Sequence, residues 1–501
     1  MSQRNPNLVL DVEENPKKVS QWLIFAIQHI LAMLVACITV PLITGLPVAA
    51  TLVSAGIGTI IYLVITKFKS PVFLSSSFAY LSPMISALSV GLLNNAMGNN
   101  YFALILGMIM VGAVYAVVAL LIKFVGTKWL SKILPPIVVG PVIMVIGLSL
   151  SGSAINNLVG AGASSAPSYN WLAIISGLVA MVVVAICAHY GKGKFISLIP
   201  FVVGMGAGYL VAVLFTVFGY YIGGSDYFHV VDFTPITSIF QNFDFASIFN
   251  YKMFIPNDAE SFLFFRFEQI AKFDWATIGE VALLFIPVSL VTIAEHIGDH
   301  ENLGNIINRD LLNDEPGMKR TLLGDGIATA VSGALCGAAN TTYGENVAVI
   351  GTTKIASVKV VLLAAVMAMG FGFITPLTKL LETIPGCVTG GVSLILYGFI
   401  AASGIKMLIA KKIDFNQPKN IFVASAILVA GIGGLTFKFG APLELATSPA
   451  VTITSVAAAM ILGILLSLIL KDDVKHNSAA DIELENKERK SLGQYDFPQD
   501  K

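Results

Sequence analysis

The 501-residue chain is 56% hydrophobic and only 12% charged, with a mean hydropathy of +0.81. A soluble fold of this length cannot bury that much apolar surface, so the chain reads as an integral membrane protein whose first partner is the lipid bilayer. Its 30 basic and 30 acidic side chains cancel, which removes any bulk electrostatic case for nucleic acid as a partner.

Residues 1–20 are polar and read as a cytoplasmic N-terminal tail. The apolar run from Trp22 is too long for a removable leader and lacks a small-residue cleavage site, so it inserts and stays. Stretches near the ~20 residues that a crossing helix needs fall at 22–43, 48–66, 101–123, 136–150, 171–189 and 196–221. A long external connection, 222–276, follows, and then 278–298, 321–336, 356–375, 385–403, 419–434 and 449–470. Residues 471–501 are charged and poor in apolar side chains, which reads as a disordered cytoplasmic tail. Two further segments are apolar but broken. In 72–93 the interruption is Ser75-Ser76-Ser77 and Pro83; in 338–353 it is Asn340-Thr341-Thr342 and Gly344.

Counting both broken segments as crossings gives fourteen, and the basic residues agree with that count. With the N-terminus inside, Lys67 and Lys69, Lys123, Lys128 and Lys132, Lys192 and Lys194, and Arg309, Lys319 and Arg320 lie on the cytoplasmic side. So do Lys354, Lys406, Lys411, Lys412 and Lys419, and both termini. Fourteen divides into two sevens, and an odd number per half inverts the second copy, giving repeats over 21–221 and 277–470. Short echoes support the division. Gln28-His29-Ile30 recurs 267 residues on as Glu295-His296-Ile297, and the same step carries Ser77-Phe78 to Gly344-Glu345. Pro135, Gly140 and Val142 recur at Pro385, Gly390 and Val392. Broken segments at matching places in inverted halves point to a transporter's midplane site, since unpaired backbone at that depth needs a polar lumen or a ligand. Phe78 and Glu345 are expected to meet there.

The polar residues of the apolar segments sharpen this expectation. The eleven residues from Leu284 to Ala294 that precede Glu295 carry no charge, and a carboxylate at that depth costs about 2.5–3.5 kcal/mol unless it faces a cavity, partner or substrate. On a helix Glu295, Asp299 and Asn302 share one face, which would look into the site. His300 and Glu301 are expected to be solvated beyond the end of the span near Ile297. Glu345 has no Lys or Arg nearby in its segment, which favours substrate or proton binding over a structural ion pair. His29 reads first as a satisfied core group, and Gln28, at the position matching Glu295, is the stronger site candidate. Tyr397 either lines the cavity or packs. Cys37, Cys187, Cys336 and Cys387 all lie in apolar segments without metal-ligand or disulfide spacing and are expected to pack. No nucleophile elbow, HExxH or phosphate-binding glycine loop is present, so the chain reads as a transporter with no catalytic or metal residues rather than as an enzyme.

These residues resemble the nucleobase:cation symporter 2 family, also called nucleobase/ascorbate transporters, and within it the bacterial uracil permeases. The family signature, an acidic or amide residue, Asn, any residue, Gly, four residues, Thr and a basic residue, is met by Glu345-Asn346 and Thr353-Lys354, with Ala348 in the glycine position. Gln28-His29, SSSFAYLSP, AEHIGD, NTTYGEN and GGVSLILYGFIAASGIK extend the match over about residues 20–470. The resemblance implies an all-α fold of fourteen segments with core and gate domains, in which short strands in the third and tenth elements cross at the site. It further implies that Glu295 and Glu345 accept hydrogen bonds from a base while the N–H groups of Phe78 and Gly344 donate to its carbonyls. The implied activity is proton-coupled uptake of uracil or a related pyrimidine across the cytoplasmic membrane, without a cofactor. Gln28, His29, Asp299 and Tyr397 are the residues for proton coupling or site support. Some members carry histidine where Asp299 stands, which changes the protonation chemistry of any relay there. Alternatives are a purine or xanthine permease of the same fold, or an anion exchanger or channel, whose cargo two central acids would repel. Gly- and Ala-rich helix faces suit close packing or a homodimer.

Overall fold

Interrupted apolar helices build this chain, and the interruptions position its polar residues. The computed structural model describes residues 5–90, 100–127, 129–160, 169–191, 199–241, 248–249, 251, 267–439 and 451–470. Two long helices open the fold, α1 (Val19–Thr44) and α2 (Val48–Ile65). The residues between them dictate the turn: Gly45 takes a φ of 76° and sends its N–H to the Pro41 carbonyl, and Pro47 leads extended into α2. The first broken segment then resolves into β1 (Leu74–Ser76) and α3 (Leu81–Leu88).

α4 (Tyr101–Val125), α5 (Leu130–Ile133), α6 (Pro136–Ser149), α7 (Ser151–Val159), α8 (Trp171–Tyr190) and α9 (Pro200–Phe215) complete the first half, with a π-helical turn over Thr216–Ile222. Proline at the first turn starts α6 and α9, where its missing N–H costs no hydrogen bond; Asn100 and Asn170 side chains cap α4 and α8. The connection to the second half contains α10 (Thr234–Gln241) and α11 (Phe267–Lys272).

The second half begins with α12 (Ile278–Ile307) and α13 (Met318–Ala334), and its broken segment becomes β2 (Asn340–Thr342) and α14 (Gly344–Thr353). α15 (Val358–Gly372), α16 (Thr375–Glu382), α17 (Gly386–Ala410), α18 (Pro418–Ile432), β3 (Phe437–Phe439), β4 (Val451–Ile453) and α19 (Ser455–Ile469) follow. Among the described residues eight helices are long and apolar enough to cross a membrane, and three shorter apolar helices accompany them. The protein is therefore a mostly helical, multi-pass membrane protein.

The helices sort into two packed bodies. α4 packs on α13 and α12, and α2 on α15 and α13, with α1 against α15 and α14; this body carries β1 and β2. α17 is the centre of the other, touching α6, α7 and α8, with α18 and α19 against α6. Small residues let its backbones touch: a Cβ on Gly391 of α17 would run into the backbone of Gly177 on α8.

Three features depart from the sequence expectation. α12 does not end near Ile297 but continues to Ile307, so His300 and Glu301 stay on the helix, as Asp299 was expected to. Part of the last expected span is instead β4, paired antiparallel with β3. Residues 5–18 of the expected N-terminal tail lie against the first body, with Leu8 and Val12 buried. The expected tail 471–501 and much of 222–276 fall outside the described residues.

Candidate functional site

β1 and β2 pair antiparallel at the centre of the first body, with Leu74 opposite Thr342, Ser75 opposite Thr341 and Ser76 opposite Asn340. Helix cannot continue through either run, and the two strands satisfy one another's backbone where lipid or water would otherwise have to. Hydroxyls from the neighbouring helices complete the pairing. Thr59 of α2 accepts from the Leu74 N–H (3.0 Å) and donates to its carbonyl (3.2 Å), while Thr329 of α13 donates to the Asn340 carbonyl. Beyond the strands Ser77 N–H reaches the Ala339 carbonyl at 2.8 Å.

Just past this pairing each chain leaves a backbone donor open. The N–H groups of Phe78 and of Gly344, the first residue of α14, have no acceptor among the described residues. An open donor at a helix start carries partial positive charge, which favours electronegative groups in front of it. Glu345, the next residue, is half-buried, and so is Glu295 on α12. Neither carboxylate accepts a hydrogen bond from another side chain among the described residues, and Glu295 has Asp299, Glu345 and Asp325 as its charged neighbours. The antiparallel register sets Phe78 past the Asn340 end of the pairing and Gly344 past its Thr342 end.

The supporting residues fix these groups from several sides. Asp299 accepts from the Thr342 hydroxyl at 2.8 Å, which ties α12 to β2. His29 Nδ1 meets Asn346 Oδ1 at 2.6 Å, so the histidine of α1 holds the residue after Glu345 rather than standing in the site. Gln28 is half-buried beside it. One turn before Glu295, Thr292 takes hydrogen bonds from Tyr80 (2.8 Å) and Tyr115 (2.9 Å). Tyr397 of the second body lies edge-on to Phe78, ring centroids 6.0 Å apart, and both rings are buried. A cavity of about 140 Å³ opens beside Glu345 and runs along α14 past Ala348 to Thr352, with Leu31 of α1 and Pro200 of α9 as its other walls.

His300 was expected in solvent and is instead buried, its Nε2 2.7 Å from the Tyr62 hydroxyl. Tyr62 of α2 bonds it and the His296 ring stacks on it, centroids 4.1 Å apart. Glu301 does reach solvent and pairs with Lys411 at 2.9 Å. Asp325 was not singled out from the sequence; it is fully buried and bonds His296 Nδ1 at 2.8 Å. The criterion that flagged Glu295, a carboxylate inside an apolar span, would have found it.

The permease family, by its sequence model, matches residues 20–440. The chain belongs to this family. A uracil permease of Bacillus caldolyticus is 38% identical to this permease over 92% of its length and 94% of the relative's. One from Escherichia coli K12 is 32% identical over the same shares. Permeases move solutes and are not enzymes. In fold this permease is similar to the transmembrane domain of the cyanobacterial bicarbonate transporter BicA, with a TM-score of 0.57 and 13% identity over 91% of this chain and 98% of that one. It is likewise similar to the murine anion transporter Slc26a9, with a TM-score of 0.58 and 9% identity over 91% and 69%.

Proposed function

We propose that this permease imports uracil together with a proton across the cytoplasmic membrane. The observation that carries the reading is a pair of half-buried, mutually interacting carboxylates, Glu295 and Glu345, together with two open backbone donors, Phe78 N–H and Gly344 N–H, flanking the β1–β2 pairing. Uracil presents N–H donors and C=O acceptors on one edge, and this set is its complement. Relatives named uracil permeases that align along nearly the whole chain favour the same cargo. An anion carrier shares the architecture, but Glu345 lining the cavity, with Glu295 as its charged neighbour, disfavours an anion.

The packing supports fourteen segments in two inverted sevens. α2 packs on α15 as α13 packs on α4, α1 on α15 as α12 on α4, and α1 on α14 as α12 on α3. Exchanging the halves turns each contact into its partner. In this reading the body with β1 and β2 is the moving core, the body centred on α17 is the gate, and both termini are cytoplasmic. A bare carboxylate crossing the apolar seam between them would be costly, so protonation together with a neutral base lets the core move. Asp299 and Gln28 support the acids, His29 orients α14 through Asn346, and Tyr397 closes over Phe78 from the gate.

Labelled uracil uptake into proteoliposomes tests the reading. Glu345→Gln should lower uptake by at least about tenfold, since a charge-assisted acceptor is worth roughly 1.5–3 kcal/mol. Uracil uptake should fall when the pH gradient is collapsed and resist competition by xanthine. Full activity in Glu345→Gln removes the site assignment; uptake indifferent to the pH gradient removes the proton.

A further inference from the structure

We propose that the N-terminal segment Asn5–Val12 is a strap that sets the positions of both acid-bearing helices from their far ends. Glu295 lies on α12 and Glu345 at the start of α14, and the strap grips the C-termini of both. The last carbonyls of a helix lack partners within it. At α12 the Asn5 side-chain amide donates to the Ile306 carbonyl at 3.1 Å, and Asp11 pairs with Arg309, just past the left-handed cap at Asn308, also at 3.1 Å. At α14 the left-handed cap is Lys354, and its carbonyl accepts from Val9 N–H (2.8 Å) and Leu10 N–H (3.2 Å).

The strap then runs beside the entry to α15 as a short parallel bridge. Ala356 N–H donates to the Leu10 carbonyl at 2.8 Å and Val358 N–H to that of Val12 at 3.0 Å. Leu8 and Val12 are buried in one apolar cluster with Leu303 and Ile307 of α12 and Val347 and Ile350 of α14. The Asp11–Arg309 pair is itself mostly buried, with side chains 8% and 16% exposed. A loose tail has no need of such burial. Because a helix is stiff over one to three turns, fixing Lys354 relative to Ile306 also fixes Glu345 relative to Glu295. Asn5 and Asp11 are positioning residues, acting through α12 and α14.

The proposal rests on the uracil reading for its binding readout alone, so the experiment carries a second readout that needs no substrate. Full-length protein, Asp11→Ala, Asp11→Glu and a chain lacking residues 2–12 are compared by uracil titration, thermal unfolding and substrate-free hydrogen exchange. Asp11→Ala and the deletion should weaken uracil binding at least fivefold and speed exchange at 344–348 at least tenfold. Asp11→Glu should keep most of the affinity, and a peptide of residues 1–14 should restore the deleted chain. A lower melting temperature with unchanged affinity and unchanged exchange at 344–348 would overturn the strap as a positioning device. If uracil binds none of the proteins, the uracil reading falls; the exchange result still decides the strap, faster exchange supporting it and unchanged exchange overturning it.

Discussion

Tyr62 shows how one hydroxyl joins three elements. His300 Nδ1 lies 2.8 Å from the His296 carbonyl, which can only accept, so Nδ1 carries the hydrogen and Nε2 is left as an acceptor. The Tyr62 hydroxyl therefore donates to Nε2 and accepts from Ser70, 2.8 Å away. Removing it strands two buried polar groups. Tyr62→Phe should destabilise the protein by about 2 kcal/mol, read as a lower thermal midpoint in detergent; an unchanged midpoint would contradict this hydrogen-bond order. Such pairings are invisible in the sequence because Tyr62 and His300 are far apart in the chain. Glu295 and Glu345 are legible for the opposite reason: a carboxylate in an apolar span is anomalous whatever lies across from it. His29 falls between. Its type and depth mark it as a satisfied group, but only the fold names Asn346 as the partner.

In the segment between α12 and α13 the exposed carboxylate of Glu315 gathers three cations. Glu315 takes Lys69 at 2.6 Å, Lys67 at 2.9 Å and Arg320 at 2.8 Å, joining the turn after α2 to the start of α13. These hydrogen bonds, Lys69's first and then those of Lys67 and Arg320, hold its carboxyl down at about 2. A depressed folded value means stabilisation that is whole above the ordinary carboxylate range, near pH 4.3, and fades as pH falls toward 2. The melting temperatures of wild type and Glu315→Gln should therefore differ by a small, constant amount from pH 8 to about pH 5 and converge below that. Added salt should shrink the difference at neutral pH, because exposed pairs are screened. A gap that widens on acidification would reverse the assigned sign. At this scale the broken segments were readable, since Ser75-Ser76-Ser77 and Asn340-Thr341-Thr342 interrupt apolar runs with residues that bond backbone. The β3–β4 hairpin was not, because three residues per strand are too few to set a period against the apolar background.

Across the whole molecule, the two bodies meet over Phe78 and Tyr397 while the cavity beside Glu345 opens toward Thr352 and the Lys354 end of α14. Lys67 and Lys69 mark the same basic connections. In the proposed orientation this opening gives access to Glu345 from the cytoplasm. Thr352 is exposed and lines that opening, and the four native cysteines are buried, so a single thiol there would report on access with little background. In Thr352→Cys, a membrane-impermeant maleimide should label inside-out vesicles readily and right-side-out cells at least about tenfold more slowly, with alternating access allowing only brief outward exposure. Uracil should change the labelling rate by occupying the cavity or by shifting the population between states. Fast labelling from the outside would reverse the orientation of the basic face. A rate indifferent to saturating uracil would detach the cavity from the transport path and leave Glu345 as an acid beside an unrelated cleft.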